Sequence, residues 1–227
     1  QAEKWFKDLR DKICEEFEIL EEDHLKLSPK SHVAAKKFER KSTIRETDDK
    51  EDGGGGVMAT LKGGRIFEKV GVNVSAVYGN LAPEAQKSIT ARKAIPELKD
   101  DPRFWASGIS LVAHMRNPHT PAIHLNTRMF WTPHAWWFGG GTDLNPSIEN
   151  DDDTNFFHQT LKKKCDKHNQ SYYKKFKEWA DEYFFIPHRK VARGVGGIFF
   201  DDLCTGDWEK DFSFTRDVGE AFIEAYI

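Results

Sequence analysis

Residues 106–130 read ASGISLVAHMRNPHTPAIHLNTRMF. Two apolar and β-branched runs, 106–114 and 122–130, flank MRNPHTP, whose Asn-Pro and Thr-Pro pairs mark a turn. Two strands on so short a connection pair antiparallel. Side chains alternate faces along a strand, so His124, Asn126 and Arg128 point one way while Ile123, Leu125, Thr127 and Met129 point the other. Ser110, Val112 and His114 share a face of the first strand in the same manner.

Working outward, residues 57–78 hold three further short strand patterns, VMATL, GRIFEKV and VNVSAVY, separated by glycine pairs or polar residues. AWWF at 135–138 and VGGIFFDDL at 195–203 add two more. The flanks are helical. Trp5, Leu9, Ile13 and Phe17 recur every four residues in a helix over 3–20. Phe156, Phe157, Leu161 and Cys165 outline a second helix. Tyr172, Phe176, Trp179 and Tyr183 outline a third, stopped by Pro187. Asp207 caps a fourth, which carries Phe212, Val218, Phe222 and Tyr226. The polar and glycine-rich stretch 42–56, STIRETDDKEDGGGG, is expected to be a solvated loop; its glycines could alternatively close over a ligand. Consecutive strands on short links, with helices before and after, predict an α+β domain whose antiparallel sheet has about six to seven strands.

If the two central strands pair, one face of the sheet presents two histidines, a serine, an asparagine and an arginine. A merely wet face would carry Lys, Glu and Thr; this mixture suits recognition of a polar ligand. HAWWFGGGTD (134–143) lacks the GK[ST] of a P-loop and the GxGxxG of a dinucleotide fold. Its glycines allow backbone to approach a flat object, and Trp136 and Trp137 point to opposite faces, so one can enter the core while the other lines a pocket. The adjacent Asp201 and Asp202 also point to opposite faces of a strand and do not share a proton; one can anchor an N–H, the other cap the turn. His114, His124, His158 and His188 lack HExxH or CxxC spacing, so a metal site is not legible from spacing.

The bulk numbers narrow the class. Hydrophobic residues make up 38% and charged residues 31% of 227, a globular composition with room for a sizeable core. A formal net charge of -3 gives no basis for a nucleic-acid partner. No apolar run approaches the roughly 20 residues of a membrane span. The three cysteines, Cys14, Cys165 and Cys204, form neither a CxxC pair nor an even disulfide framework, so a reducing compartment is expected. The cytoplasm is the expected compartment. The chain starts at Gln1 without a signal pattern, and loss of a targeting segment would leave the mitochondrial intermembrane space as the alternative.

Taken together, FEKVGVNVS (67–75), GISLVAHMRNPHTPAIHLNTR (108–128), WWFGGGTDLNP (136–146), DEYFFIPHR (181–189) and RGVGGIFFDDL (193–203) resemble the oxygen-dependent coproporphyrinogen III oxidases of haem biosynthesis, in the family's order and over nearly the whole chain. The resemblance implies a large flat antiparallel sheet sandwiched between helices, a homodimer, and oxidative decarboxylation of two propionates of coproporphyrinogen III to vinyl groups. Protoporphyrinogen IX, CO2 and H2O2 would be the products, with O2 as co-substrate and no required cofactor. It implies His124 as proton donor, with Ser110, Asn126, Thr127 and Arg128 binding substrate, Thr127 through its backbone. It also implies a cleft built by Trp137, Gly139, Gly140 and Gly141. Asp143, Asp201 or Asp202 would hydrogen-bond the pyrrole N–H groups. His114, His124, His158 and His188 match positions assigned to a divalent metal in bacterial members, which keeps a metal-dependent oxygenase as an alternative beside a non-catalytic tetrapyrrole carrier. Ala113 and Met115 stand where many members have a larger aliphatic and a proline. Members also continue past the position of Ile227 with a strand and a glycine-rich segment, so residues 1–227 are expected to form one catalytic domain lacking the family's C-terminal part.

Overall fold

The computed structural model describes residues 1–27, 32–47 and 51–227. Its helices are α1 (Ala2–Leu27), α2 (Pro83–Lys93), α3 (Asp151–Asp166), α4 (Tyr172–Tyr183) and α5 (Trp208–Tyr226), with a 3-10 turn at Pro96–Lys99. The strands are β1 (Glu39–Glu46), β2 (Asp52–Lys62), β3 (Phe67–Asn80), β4 (Arg103–Met115), β5 (Ala122–Thr132), β6 (Ala135–Asn145), β7 (Phe185–Ile186), β8 (Val191–Ala192) and β9 (Gly196–Leu203). Seven of them form one antiparallel sheet in the order β1-β2-β3-β4-β5-β6-β9, so the α+β expectation holds, and β7 and β8 make a separate small hairpin.

The period-two pattern decides which face is core. Ile109, Leu111 and Ala113 of β4 and Ile123, Leu125 and Met129 of β5 are buried with the helices. α1 packs on β3 and β4, α5 on β5 and β6, and α3 on α5. Phe6, Phe17, Phe214 and Phe222 are fully buried there, each contributing about 1.5–3 kcal/mol of transfer free energy. Asp207 caps α5 as expected, accepting a hydrogen bond from the Lys210 amide at 3.1 Å. The opposite face has only partial cover, at β9 from the last turns of α4, whose Trp179 and Tyr183 pack on Phe199, and at one end from α2 and the 3-10 turn. There Leu81, Ile89, Ile95, Leu98 and Trp137 make a second, smaller cluster.

Three local expectations are corrected. The stretch 42–56 is not a loop: residues 42–46 belong to β1 and the glycines to β2, where Gly55 pairs with Ile44 on one side and Ala76 on the other. Glycine weakens a strand, but two flanking strands supply ladder bonds that a polar composition does not reveal; positions 48–50 lie outside the described residues. The patterns GRIFEKV (64–70) and VNVSAVY (72–78) are not two strands but one, β3, which starts at Phe67 and runs straight through Gly71. AWWF is only the start of β6, which continues through all three glycines to Asn145.

Candidate active site

The uncovered sheet face holds a cleft of about 310 Å³, open to solvent on one side. β4, β5 and β6 form its floor. The registers Ser110↔Asn126, Arg128↔Gly139 and His124↔Asp143 bring the polar residues of three strands side by side. Tyr183, Phe184 and Phe199 form an aromatic wall, with Tyr183 stacked on Phe199 at a centroid distance of 4.1 Å. A larger hollow, about 600 Å³, lies near Tyr78 and Trp131, where Arg103 forks onto Asp101 and Asp52 accepts from Tyr78.

With Arg193 at the side wall, Arg128 stands on the cleft floor. Its Nη1 donates to Asn126 Oδ1 at 2.6 Å, and its Nη2 lies 3.3 Å from Asp201 Oδ1. Asn126 is itself fixed, donating to the Ile109 carbonyl at 3.1 Å. The guanidinium lies across Gly139, where a Cβ would sit 2.6 Å from Asp201 Oδ1 and 3.1 Å from Arg128 Cζ. Two glycines of the run therefore have a physical reason: Gly139 leaves room for the Arg128–Asp201 pair, and Gly141 keeps the floor flat between β5 and β9. Their backbone sits in the ladder between those strands, opposite Arg128 and Asn126 on one side.

Asp143 is 1% exposed and carries four contacts. Arg193 grips it with both prongs, Nη2 to Oδ1 at 2.8 Å and Nε to Oδ2 at 3.0 Å. Asn145 Nδ2 donates to Oδ2 at 2.6 Å, and His124 Nδ1 lies 3.5 Å away. Burial pushes the Asp143 carboxyl up, yet the bonds from His124, Arg193 and Asn145 together outweigh it and hold the group below its ordinary 3.8. This buried anion is the partner of His124, whose other nitrogen, Nε2, has no hydrogen-bond partner among the described residues. The expected Asp143 contact with a pyrrole therefore competes with the Arg193 and Asn145 donors already in place.

Of the remaining residues singled out above, Ser110 is exposed on the floor, and Gly140 and Gly141 line the cleft. Thr127 faces the helices, fully buried, and its Oγ1 has no partner among the described residues. Trp137 shares the cleft face in register but lies beneath α2, stacked on Phe130 at 4.7 Å with Lys93 Nζ 4.9 Å above its ring. It supports the edge of the cleft instead of lining it. Asp202 adopts φ +59 and turns to the end of α2, within 3.0 Å of Lys93 Nζ and 3.3 Å of Arg92 Nη2. The pattern missed Arg193, Asn145 and Phe199. Asn145 was within reach, since it lies two residues beyond Asp143 on the same face of β6.

The four histidines do not suit one metal ion. His124 and His114 rings are 6.4 Å apart. His158 has both nitrogens committed, Nε2 donating to the Val195 carbonyl at 2.9 Å and Nδ1 accepting from Tyr173 at 3.1 Å, and burial lowers its pKa. His188 sits exposed in the turn between β7 and β8. Among the described residues no group of three or more His, Cys, Asp or Glu is arranged to hold a metal.

An antiparallel sheet presenting an arginine, a carboxylate-backed histidine and an aromatic wall defines a cleft for an anionic, partly aromatic ligand with acid–base capacity. The chain belongs to the coproporphyrinogen III oxidase family, whose model it matches over residues 1–227. It is 47% identical to the oxygen-dependent coproporphyrinogen-III oxidase of Rickettsia bellii (strain RML369-C), over 98% of this chain and 74% of the relative. The proteins of the same name from Rickettsia peacockii (strain Rustic) and Rickettsia conorii (strain ATCC VR-613 / Malish 7) are each 46% identical over the same shares.

Proposed function

We propose that this chain is an oxygen-dependent coproporphyrinogen III oxidase of haem biosynthesis. It converts two propionates of coproporphyrinogen III to vinyl groups and yields protoporphyrinogen IX. Each conversion takes one propionate, one O2 and one proton to one vinyl group, one CO2 and one H2O2, which balances atoms and charge. The reduced macrocycle is electron-rich and reacts with O2 directly, so the protein's tasks are to hold the ring, exclude water and manage protons. The observation that carries this reading is the Arg128 guanidinium, fixed by Asn126 and Asp201 beside His124. A guanidinium so held grips a carboxylate and selects which propionate reaches the reactive point. His124 presents Nε2 to the cleft as proton donor, and Asp143 balances the imidazolium.

O2 is co-substrate, and no organic cofactor or metal is assigned. The metal-dependent alternative is disfavoured by the engagement of His158, and a passive carrier would not need a buried carboxylate behind a cleft-facing imidazole. We assign a homodimer, as the family resemblance implies, and a cytoplasmic location, consistent with three cysteines that are all free. Among the described residues no helix is long and apolar enough to cross a membrane. Incubation with coproporphyrinogen III in air and without oxygen, followed by product mass, tests the reading. Loss of two carboxyl groups only in air supports it, and porphyrinogen bound but unchanged in air would sink it. The His124→Ala protein should bind porphyrin and turn over about 100-fold more slowly.

A further inference from the structure

Arg193 lines the cleft from outside its strands and reaches the floor only through Asp143, and its surroundings hold it firmly. It lies in the link between β8 and β9. Gly194 adopts φ +57 there, and a Cβ at that position would fall 2.2 Å from the Leu144 carbonyl oxygen. The Val195 amide donates to the same Leu144 carbonyl at 3.0 Å. The Val195 carbonyl accepts from His158, and the Arg193 amide donates to Phe184 at 3.2 Å. The guanidinium then stacks 4.1 Å over the Phe184 ring. A side chain tied at both ends in this way has little freedom left to lose, and its fork is aimed at one carboxylate.

We propose that Arg193 is a positioning residue that keeps a proton on the cleft-facing nitrogen of His124. This rests on the oxidase reading above. Asn145 must turn its amide nitrogen to Asp143, because a carboxylate only accepts. One hydrogen of that nitrogen goes to Oδ2 at 2.6 Å, and the same nitrogen lies 3.3 Å from His124 Nδ1. Its second hydrogen therefore addresses Nδ1 as an acceptor, which places the proton of the neutral ring on Nε2. The competing arrangement has Nδ1–H donating to Asp143 Oδ2, 3.5 Å away. Arg193 disfavours it by filling Oδ2 from Nε at 3.0 Å, alongside Asn145. When the ring is doubly protonated, Nδ1–H faces the same anion. In both charge states Nε2 carries hydrogen toward the ligand.

Without the guanidinium, Asp143 stays buried, loses two charged hydrogen bonds and keeps only the neutral Asn145 donor, so it draws the Nδ1 proton. Nε2 would then present a lone pair to the cleft. The experiment is 15N NMR of histidine-labelled, ligand-free protein, with His124 assigned from its His124→Gln variant, beside steady-state kinetics on coproporphyrinogen III. Wild type should show the Nε2–H form. Arg193→Gln should move His124 toward the Nδ1–H form and lower kcat about 10- to 100-fold, with KM within about threefold. Arg193→Lys, which restores one charged donor, should recover part of the rate and the original ring form, and it keeps the test open if the glutamine variant folds poorly. A glutamine variant with wild-type kcat, or one that loses rate while the His124 resonances stay put, would overturn the proposal. Wild-type protein that consumes no porphyrinogen would sink the oxidase reading instead, and the ring form in the ligand-free protein would still decide the role of Arg193.

Discussion

Gly139 and Gly141 sit two residues apart on one face of β6, and adding a single methyl group to each should separate chemistry from stability. A Cβ on Gly139 meets Asp201 Oδ1 at 2.6 Å, the far end of a side chain that can rotate. Moving it off its preferred rotamer costs about 0.5–1.5 kcal/mol. Alanine in a strand recovers about 0.5–1 kcal/mol relative to glycine. The two nearly cancel, so Gly139→Ala should unfold within about 3 °C of wild type, at roughly 2–4 °C per kcal/mol for a chain this size. The cost falls on the cleft. Asp201 leaves its place 3.3 Å from Arg128 Nη2, and the new methyl presses on the guanidinium itself. A displacement near 1 Å lowers kcat/KM by about 10- to 100-fold. At Gly141 the Cβ instead meets the Ile198 backbone oxygen at 2.7 Å, so β9 must shift. Overpacking of that kind costs about 1–3 kcal/mol, a drop of roughly 2–12 °C in Tm. Thermal melts beside product-mass kinetics read both effects. Equal losses of Tm in the two variants, or full kcat/KM in Gly139→Ala, would refute the assignment of that glycine to the Arg128–Asp201 pair.

Glu21 is fully buried and accepts from the amides of Arg65 at 2.6 Å, Ile66 at 2.8 Å, Phe67 at 3.0 Å and Lys36 at 3.3 Å. Glu21→Ala strands these donors and should cost about 3–5 kcal/mol by chemical denaturation, with the slope of the transition unchanged. Thr127→Val removes a buried hydroxyl that has no partner among the described residues, so it should stabilise by about 1 kcal/mol and leave turnover intact; a clear loss of rate would place the Thr127 side chain in the chemistry after all. Burial pushes the Asp217 carboxyl up, but bonds from Lys167 at 2.8 Å and His168 at 2.5 Å outweigh it and hold it below its ordinary 3.8. A carboxyl depressed in the folded state contributes stability above its unfolded value and loses it as pH falls through the folded one. Wild type should therefore lose stability more steeply than Asp217→Asn below about pH 4 in acid titrations followed by circular dichroism.

How much of this was legible in the sequence depended on the range of the interaction. The polar face of β4 and β5 was readable because strand alternation is local: once Leu125 is core, His124, Asn126 and Arg128 are not, and Thr127 is. Families of apolar residues at helical spacing gave α1, α3, α4 and α5 for the same reason. α2 was not readable, since Ile89 is its one buried residue and no stripe exists to detect. That miss carried Trp137 with it. Its strand position puts it on the cleft face, and only the helix laid over it decides that it is packed and not lining. The glycines of β2 failed differently, because the bonds that make them a strand belong to β1 and β3. Arg193 stood in a recognisable motif, but its partner Asp143 is 50 positions earlier, and no local rule pairs them.

The alternation that made the face legible also divides labour along a single strand pair. Thr142, on the core side of β6, donates to the His124 backbone carbonyl at 2.7 Å, directly beneath the ring that works on the other side. The next residue, Asp143, sets that ring's charge balance from the cleft side. Two consecutive residues of β6 therefore fix the same histidine, one through its backbone and one through its imidazole. A slip of one residue between β5 and β6 would exchange their faces and destroy both contacts at once. The apolar core guards against such a slip, since it would bury His124 and expose Leu125. The stability of the helix-covered face is thus what holds the chemistry of the open face in register, and mutations deep among the phenylalanines should reach His124 through strand pairing before they reach it through any side-chain contact.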